Sequence, residues 1–223
     1  MGALVILPTL DEAASVAGVI ARVRGALPAA TVLVVDDASM DGTAELARAA
    51  GAEVIERRGP RGLGHAYRAG FTWALERRFD PIFQMDADGS HDPADLPRLV
   101  GADLVLGSRW VAGGGTIRWG RGRQALSRFG SAYARLWLGL PLCDVTGGFK
   151  AWSAGLLARV APASTLASGY AFQVEMTLRA HRLGASIREV PIVFSEREAG
   201  ASKMNFAIAL EAARLVPALR SAS

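Results

Sequence analysis

The chain has 223 residues, of which 51% are hydrophobic and 21% charged; this excludes a disordered protein and predicts one globular domain. Its single cysteine, Cys143, excludes a disulfide framework and a zinc site made of cysteines alone. The formal net charge of +4 is modest, so the position of the basic residues is more informative than their number.

Short apolar segments alternate with helical patterns along the N-terminal half of the chain. Helices are predicted after Glu12 through Val23 and from Thr43 to Ala50. Continuous apolar runs are typical of buried parallel strands, and strands that alternate with helices indicate a parallel sheet with helices on both faces. We therefore predict a single doubly wound α/β domain over residues 1–223. Its strands are predicted at residues 3–7, 31–35, 53–55, 82–85 and 104–106.

Neither a signal peptide nor a membrane span is predicted. The apolar residues 1–10 have no basic segment before them and end at Asp11 and Glu12, which is typical of a first strand. No run approaches the ~18 consecutive apolar residues of a membrane span. We therefore expect a protein that does not cross a membrane on its own.

Pairs of acidic residues follow two of the predicted strands. Asp36 and Asp37 close one strand, and Asp86 and Asp88 close another. Ligands of open α/β sheets bind outside the carboxyl ends of the strands. A turn preference explains one such pair, because aspartate favours turns. Two pairs, each at the end of a buried strand, favour a polyphosphate or metal site.

The segment Met85–His91 reads M-D-A-D-G-S-H and is the sharpest local signal. Carboxylates two residues apart after a strand can both reach one hard cation, which prefers oxygen ligands and keeps waters and phosphate oxygens. We predict Asp88 as a direct ligand and Asp86 as shared between metal and sugar. His91 is interpreted as structural, because a hard ion bound to a diphosphate prefers oxygen.

Residues 104–143 contain six arginines and no acidic residue. From Gln124 onward, apolar and aromatic residues recur at helical spacing, which is typical of an amphipathic helix at a membrane interface. A helix packed into the core and a nucleic-acid patch are the alternatives. No module signature for RNA or DNA binding is present, so a nucleic-acid partner is not expected.

Residues 60–67 contain the glycines of a loop that superficially suggests a dinucleotide site. The third glycine is misplaced and no strand precedes the loop, so the fingerprint fails. This segment is interpreted as the start of a helix near the site, and a nicotinamide cofactor is not expected.

Together these motifs resemble the family 2 glycosyltransferases of GT-A fold, and among them the polyprenol (dolichol) phosphate mannosyltransferases. The resemblance extends over nearly the whole chain. The segments that carry it are Pro8–Glu12, Val35–Thr43, Gly62–Gly64 with Tyr67, Met85–His91, Gly107–Arg109, Asp144–Phe149, Gly169–Gln173 and Glu196–Met204.

The resemblance implies a role for each matching residue. The nucleoside pocket of the donor site would be lined by Pro8, Leu10, Glu12, Val35 and Asp37, and Asp36 would support its loop. The sugar diphosphate and an Mg²⁺ or Mn²⁺ ion would be held by Asp86, Ala87 and Asp88, with an oxygen from Ser90. Contacts to the donor and acceptor phosphates would come from Arg109, Arg197 and Lys203, and contacts to the lipid phosphate from Arg123 and Arg128. Asp88, Arg109 and Arg197 would be the catalytic residues.

The implied reaction is an inverting transfer of mannose from GDP-mannose to a polyprenyl monophosphate. A UDP-glucose donor is an open alternative, as is a non-catalytic module that binds nucleotide sugars or membranes. A receiver domain also has paired aspartates, but it is only about half this length. Leu10 stands where the family usually has tyrosine, and the stretch between His91 and Gly107 is shorter than is typical.

The implied location is the cytoplasmic face of a membrane, bound peripherally. Helices near 121–140 and 204–220 are predicted to lie at the membrane interface. Related enzymes that lack their own spans rely on a membrane-embedded partner protein, and the resemblance implies that one is possible here.

Overall fold

The computed structural model describes residues 2–167, 169, 171–196 and 216–220 of the chain. Nine strands and six α-helices lie in these ranges. The strands are β1 Leu4–Thr9, β2 Thr31–Asp36, β3 Glu53–Glu56, β4 Ile82–Gln84, β5 Leu104–Ser108, β6 Gly115–Thr116, β7 Lys150–Trp152, β8 Ile187–Pro191 and β9 Val193–Phe194. The helices are α1 Val16–Ala26, α2 Thr43–Ala49, α3 Leu63–Glu76, α4 Arg121–Leu138, α5 Ala154–Val160 and α6 Ala171–Arg182. Short 3₁₀ helices cover Pro93–Arg98 and Pro162–Ser164, and residues 216–220 are helical.

Seven strands form one sheet in the order β3-β2-β1-β4-β7-β5-β8. Strand β7 runs antiparallel to both of its neighbours, and the other pairings in the sheet are parallel. Strands β6 and β9 form a small separate parallel pair. The carboxyl ends of β1, β2, β4 and β5 therefore lie at one edge of the sheet, where ligands of open α/β folds bind.

Two apolar clusters cover the two faces of the sheet. Alternate residues of β1 divide between them: Leu4 and Ile6 belong to one cluster, and Val5 and Leu7 to the other. Helix α1 buries Val16, Val19, Ile20 and Val23 at the three- and four-residue spacing of a helix face. The prediction of a mostly parallel sheet with helices on both faces is confirmed.

All five predicted strands are present, and each end lies within two residues of the predicted one. The antiparallel strand β7 was not predicted, because it has only three residues and begins with a lysine. Short strands that lack an apolar run carry little periodic signal. Helix α3 begins at Leu63, as the interpretation of residues 60–67 requires.

Of the two helices predicted near 121–140 and 204–220, the structure describes the first and only the end of the second. Helix α4 covers most of the first and ends at Gly139, whose positive φ of 68° is the usual left-handed cap. The second, near 204–220, lies outside the described residues except for 216–220, where Val216 and Leu219 are buried. No helix within the described residues is long and apolar enough to span a membrane.

Candidate active site

The first acidic pair organises the loop after β2. Asp36 is buried, and its Oδ1 accepts a hydrogen bond of 2.8 Å from the hydroxyl of Thr9 at the end of β1. The same carboxylate accepts bonds from the backbone N–H of Ser39 at 2.9 Å and from the Ser39 hydroxyl at 2.6 Å. Asp36 therefore shapes the loop, while the loop's outer part, at Ala38, is exposed.

Asp37 connects this loop to the start of α3. Its carboxylate forms an ion pair with Arg57, and it accepts a 2.6 Å hydrogen bond from the backbone N–H of Gly62, the residue before α3. Arg61 in turn donates to the carbonyl of Ala38 at 2.7 Å. Two adjacent aspartates thus hold two different segments around one edge of the sheet.

The second acidic pair follows β4, which lies next to β1. Asp88 is buried, and its Oδ1 accepts bonds from the N–H and the hydroxyl of Ser90 at 3.0 and 2.5 Å. Asp86 is half-buried. A Cβ atom added at Gly148 would lie 3.3 Å from Oδ1 of Asp86, so the absence of a side chain there leaves this carboxylate room.

His91 is packed against the aromatic side chains behind the D-A-D segment. Its ring lies 4.8 Å from the ring centroids of both Phe149 and Phe194, and only 3% of the residue is exposed. Its Nε2 is 3.5 Å from Oδ2 of Asp86. These contacts agree with the interpretation of His91 as structural, and they place it directly beside Asp86.

Arg109 follows β5 and forms a bidentate ion pair with the buried carboxylate of Asp144. Its Nε and Nη2 donate to the two oxygens of Asp144 at 2.7 and 2.8 Å, and its backbone N–H donates to the same residue at 3.0 Å. Burial acts to raise the pKa of Asp144, but the adjacent guanidinium charge and these hydrogen bonds outweigh it and lower that pKa. The pair is therefore charged on both sides.

The two arginines expected at the lipid phosphate lie over tryptophan rings. The guanidinium carbon of Arg123 is 4.1 Å from the ring centroid of Trp119, and that of Arg128 is 4.7 Å from the centroid of Trp110. Arg123 also lies 3.5 Å from a carboxylate oxygen of Glu196. Both arginines belong to α4, and the same two rings flank the guanidinium of Arg109.

The residues expected in the nucleoside pocket differ in accessibility. Pro8, Leu10 and Glu12 are half-buried at and after the end of β1. The side chain of Val35 is fully buried in the core, so only its backbone can face a ligand. Arg197 and Lys203 lie outside the described residues. The site assignments as a set stay predictions.

Three positions beside the site received no role from the sequence. Asp144 was quoted only as part of a motif, and Glu189 and Ser15 were not singled out at all. Glu189 accepts from the backbone N–H groups of Cys143 and Asp144 at 2.7 and 2.9 Å. Such long-range contacts leave no local signal, although an aspartate before two glycines is a usable hint at Asp144.

The mostly parallel sheet with acidic residues at its carboxyl edge is an α/β fold of GT-A type. Solved structures with this fold include glucosyl-3-phosphoglycerate synthase from Mycobacterium tuberculosis. In its complex with phosphoglyceric acid it superposes with a TM-score of 0.77 at 22% identity, covering 98% of this chain and 79% of that one. The form with Mn²⁺, UDP and glucosyl-3-phosphoglycerate gives 0.75 at 23%, with 98% and 79% covered. At this identity the likeness shows the fold alone.

The chain belongs to glycosyl transferase family 2, which matches residues 4–160, and it is a glycosyltransferase. It is 48% identical over 221 residues to the undecaprenyl-phosphate mannosyltransferase of Micrococcus luteus, and the aligned region covers 95% of this chain and 91% of that protein. It is 42% identical over 213 residues to the polyprenol monophosphomannose synthase of Mycolicibacterium smegmatis, with 91% and 80% covered.

Proposed function

We propose that this enzyme transfers mannose from GDP-mannose to a polyprenyl monophosphate and forms polyprenyl-phosphate mannose. The observation that carries the proposal is the 48% identity, over 95% of the chain, to a mannosyltransferase named for a polyprenyl phosphate. The charges at the carboxyl edge of the sheet, with aspartates after β2 and β4 and an arginine after β5, support it.

The chemistry of the acceptor explains why the site needs no strong base. A phosphate monoester has a second pKa of about 6, so it is largely ionised at neutral pH. One of its oxygens forms a bond to the anomeric carbon, while the bond from that carbon to the diphosphate breaks and GDP leaves with the electron pair. This single displacement converts an α-linked donor into a β-linked product. The enzyme's task is to align two polyanions and to supply positive charge.

The residues after β4 fit a divalent cation bound through the diphosphate. Asp86, Asp88 and Ser90 offer only oxygen atoms, which suit Mg²⁺ or Mn²⁺. The described residues contain no group of three His, Cys, Asp or Glu side chains able to hold a metal by themselves. A cation with two protein carboxylates would therefore take further oxygens from the diphosphate and water. Bound there, it would neutralise charge on the departing diphosphate.

Helix α4 supports a peripheral position at a membrane surface. Large apolar side chains lie on its outward face, whereas its two fully buried residues, Ser131 and Ala134, are small, which is unusual for a surface helix. Phe129 and Leu136 are 69% and 75% exposed, and Leu126 and Trp137 lie on the same stripe, whereas Ser131 is buried against the protein body. A stripe of this kind beside arginines favours an anionic lipid surface, such as the cytoplasmic leaflet.

The test is a direct assay of transfer into lipid. Purified protein is incubated with Mg²⁺, a polyprenyl phosphate and either labelled GDP-mannose or labelled UDP-glucose, and label in the organic phase is counted. We expect label only from GDP-mannose. Label from UDP-glucose alone would establish the glucosyltransferase alternative, and no label from either donor would overturn the proposal.

A further inference from the structure

The contacts of Arg109 fix the orientation of its guanidinium group. A guanidinium carries five N–H donors. Three of them, on Nε and Nη2, point to Asp144 and to the Thr146 hydroxyl, at 2.7, 2.8 and 3.2 Å. The two N–H groups of Nη1 take no part in these bonds. One orientation of the guanidinium is thereby selected, with Nη1 as the edge that can receive an anion.

Three aromatic rings lie close to the same guanidinium. Its central carbon lies 5.3, 5.7 and 5.5 Å from the ring centroids of Trp110, Trp119 and Phe194. Arg109 is only 8% exposed, and Asp144 is fully buried. Rotation of the side chain away from Asp144 would therefore leave a buried carboxylate unpaired, which is strongly unfavourable.

Contacts from two other elements fix the position of Asp144. The carboxylate of Glu189 on β8 accepts from the successive backbone N–H groups of Cys143 and Asp144. The hydroxyl of Ser131 on α4 lies 3.4 Å from Oδ1 of Asp144 and 2.9 Å from the Thr146 hydroxyl. Strand β8 and helix α4 thus both determine where the Asp144 carboxylate lies.

We propose that Asp144 is a positioning residue that presents the Nη1 edge of Arg109 to the reacting phosphates. This inference rests on the proposed function, because it takes the anion at Nη1 to be a phosphate of donor or acceptor. A charge already oriented in the free enzyme loses little conformational freedom when the transition state forms, so this contact preorganises the site. Asp144 touches no substrate itself and acts through Arg109.

The test compares Asp144→Asn, Arg109→Lys and the double variant in the lipid-transfer assay, with nucleotide affinity measured separately by titration with GDP. We expect Asp144→Asn to lower kcat on the order of 10- to 100-fold, the scale of a hydrogen bond between charged groups. GDP affinity should change little. In the Arg109→Lys background, Asp144→Asn should cause little further loss, because lysine cannot use the same bidentate partner.

A nuclear magnetic resonance measurement gives a readout that does not depend on turnover. The Nε–H of Arg109 should exchange slowly with water in the wild type and rapidly in Asp144→Asn. The matched control is Asp103→Asn, because Asp103 bonds Ser186 at the opposite end of β5 and should change neither kcat nor this signal.

If Asp144→Asn does not fold, Thr146→Val replaces it, since this variant keeps the ion pair and removes one acceptor from Nη2. It should lower kcat about 3- to 10-fold, the scale of one hydrogen bond. An active wild type together with unchanged kcat in folded Asp144→Asn, or equal losses with and without Arg109, would overturn the role of Asp144. Unchanged kcat in Thr146→Val would overturn the premise that the bonds at Nη2 fix the guanidinium for turnover. A wild type that transfers no sugar would instead overturn the proposed function, and the exchange measurement would still report the Arg109–Asp144 contact.

Discussion

The hydroxyl of Ser15 donates a 2.8 Å hydrogen bond to the carbonyl of Ala87, 72 residues further along the chain. Both residues are buried. This bond joins the residue that precedes α1 to the middle of the D-A-D segment, so the acidic loop after β4 is held by the segment that follows β1. The aspartates on either side of Ala87 thereby gain a common anchor.

We therefore expect Ser15→Ala to lower the free energy of unfolding by about 1–3 kcal/mol, because a buried carbonyl loses its partner. It should also raise KM for the nucleotide sugar through displacement of Asp86 and Asp88. Urea denaturation and steady-state kinetics measure the two effects. The control is Ser164→Ala, whose hydroxyl donates to the carbonyl of Ala161 and accepts from Arg179, both in exposed contacts. Equal behaviour of the two variants would show that the Ala87 contact does not matter.

Asp88→Ala should abolish transfer, because a hard cation at the diphosphate would lose an anionic ligand. Excess EDTA should have the same effect on the wild type, and added Mg²⁺ or Mn²⁺ should restore the wild type but not the variant. Asp95→Ala, which removes a partly exposed carboxylate paired with Arg98, serves as the control. Full wild-type activity in excess chelator would rule out the metal assignment.

Arg123→Ala should raise KM for the polyprenyl phosphate about 10- to 100-fold, the scale of a hydrogen bond between charged groups, with donor affinity little changed. The chain offers a close control in Arg77, which lies 4.3 Å over Trp73 much as Arg123 lies 4.1 Å over Trp119. Arg77→Ala should leave acceptor kinetics unaltered. If Arg123→Ala also does so, the stacked arginine is a surface feature only.

Trp137→Asp should weaken the attachment of the protein to anionic vesicles, because it places a negative charge on the apolar stripe of α4. Flotation with the vesicles at low salt measures attachment, and higher salt should weaken it in the wild type. The control is Val100→Asp, a side chain of similar exposure that lies away from this helix. Wild-type protein that stays with the soluble fraction at low salt would contradict the membrane proposal.

The buried side chain of Lys150 should make the stability of the protein depend on pH. Burial lowers its pKa from 10.5 to about 7, and the nearby charge of Asp144 offsets part of this effect. Between these two pH values the unfolded chain binds a proton that the folded chain does not, so stability rises with pH by at most about 1.4 kcal/mol per unit. Below pH 7 the cost of burying the charge is fully present.

Lys150→Met should remove this slope, since methionine fills a similar volume and does not titrate. The measurement is the free energy of unfolding of both proteins at pH 7, 8 and 9 in urea. The wild type should gain stability relative to the variant as the pH rises. Parallel pH profiles would show that the ammonium group, which donates to Gln173 and Thr177 at 2.9 Å, titrates outside this range.

The sequence by itself determined those elements whose residues follow the repeat of a strand or a helix. The apolar runs of β1 and β2 could be recognised because buried parallel strands need no polar residues. The acidic residues after β2 and β4 could be placed at one edge of the sheet because parallel strands share their direction. The spacing of the aromatic residues predicted α4, because residues on one face of a helix recur every three or four positions.

Only the tertiary structure decided which charges are already paired. Asp37 and Arg57 are 20 residues apart, and Arg109 and Asp144 are 35 apart. Whole helices and strands separate the members of each pair, and the periodicity of those elements does not say which charges they bring together. The antiparallel insertion of β7 between β4 and β5 brings Gly148 to Asp86 and Asp144 to Arg109. Such pairings depend on how the strands are ordered in the sheet, and strand order is set by the packing of the whole core rather than by any short segment.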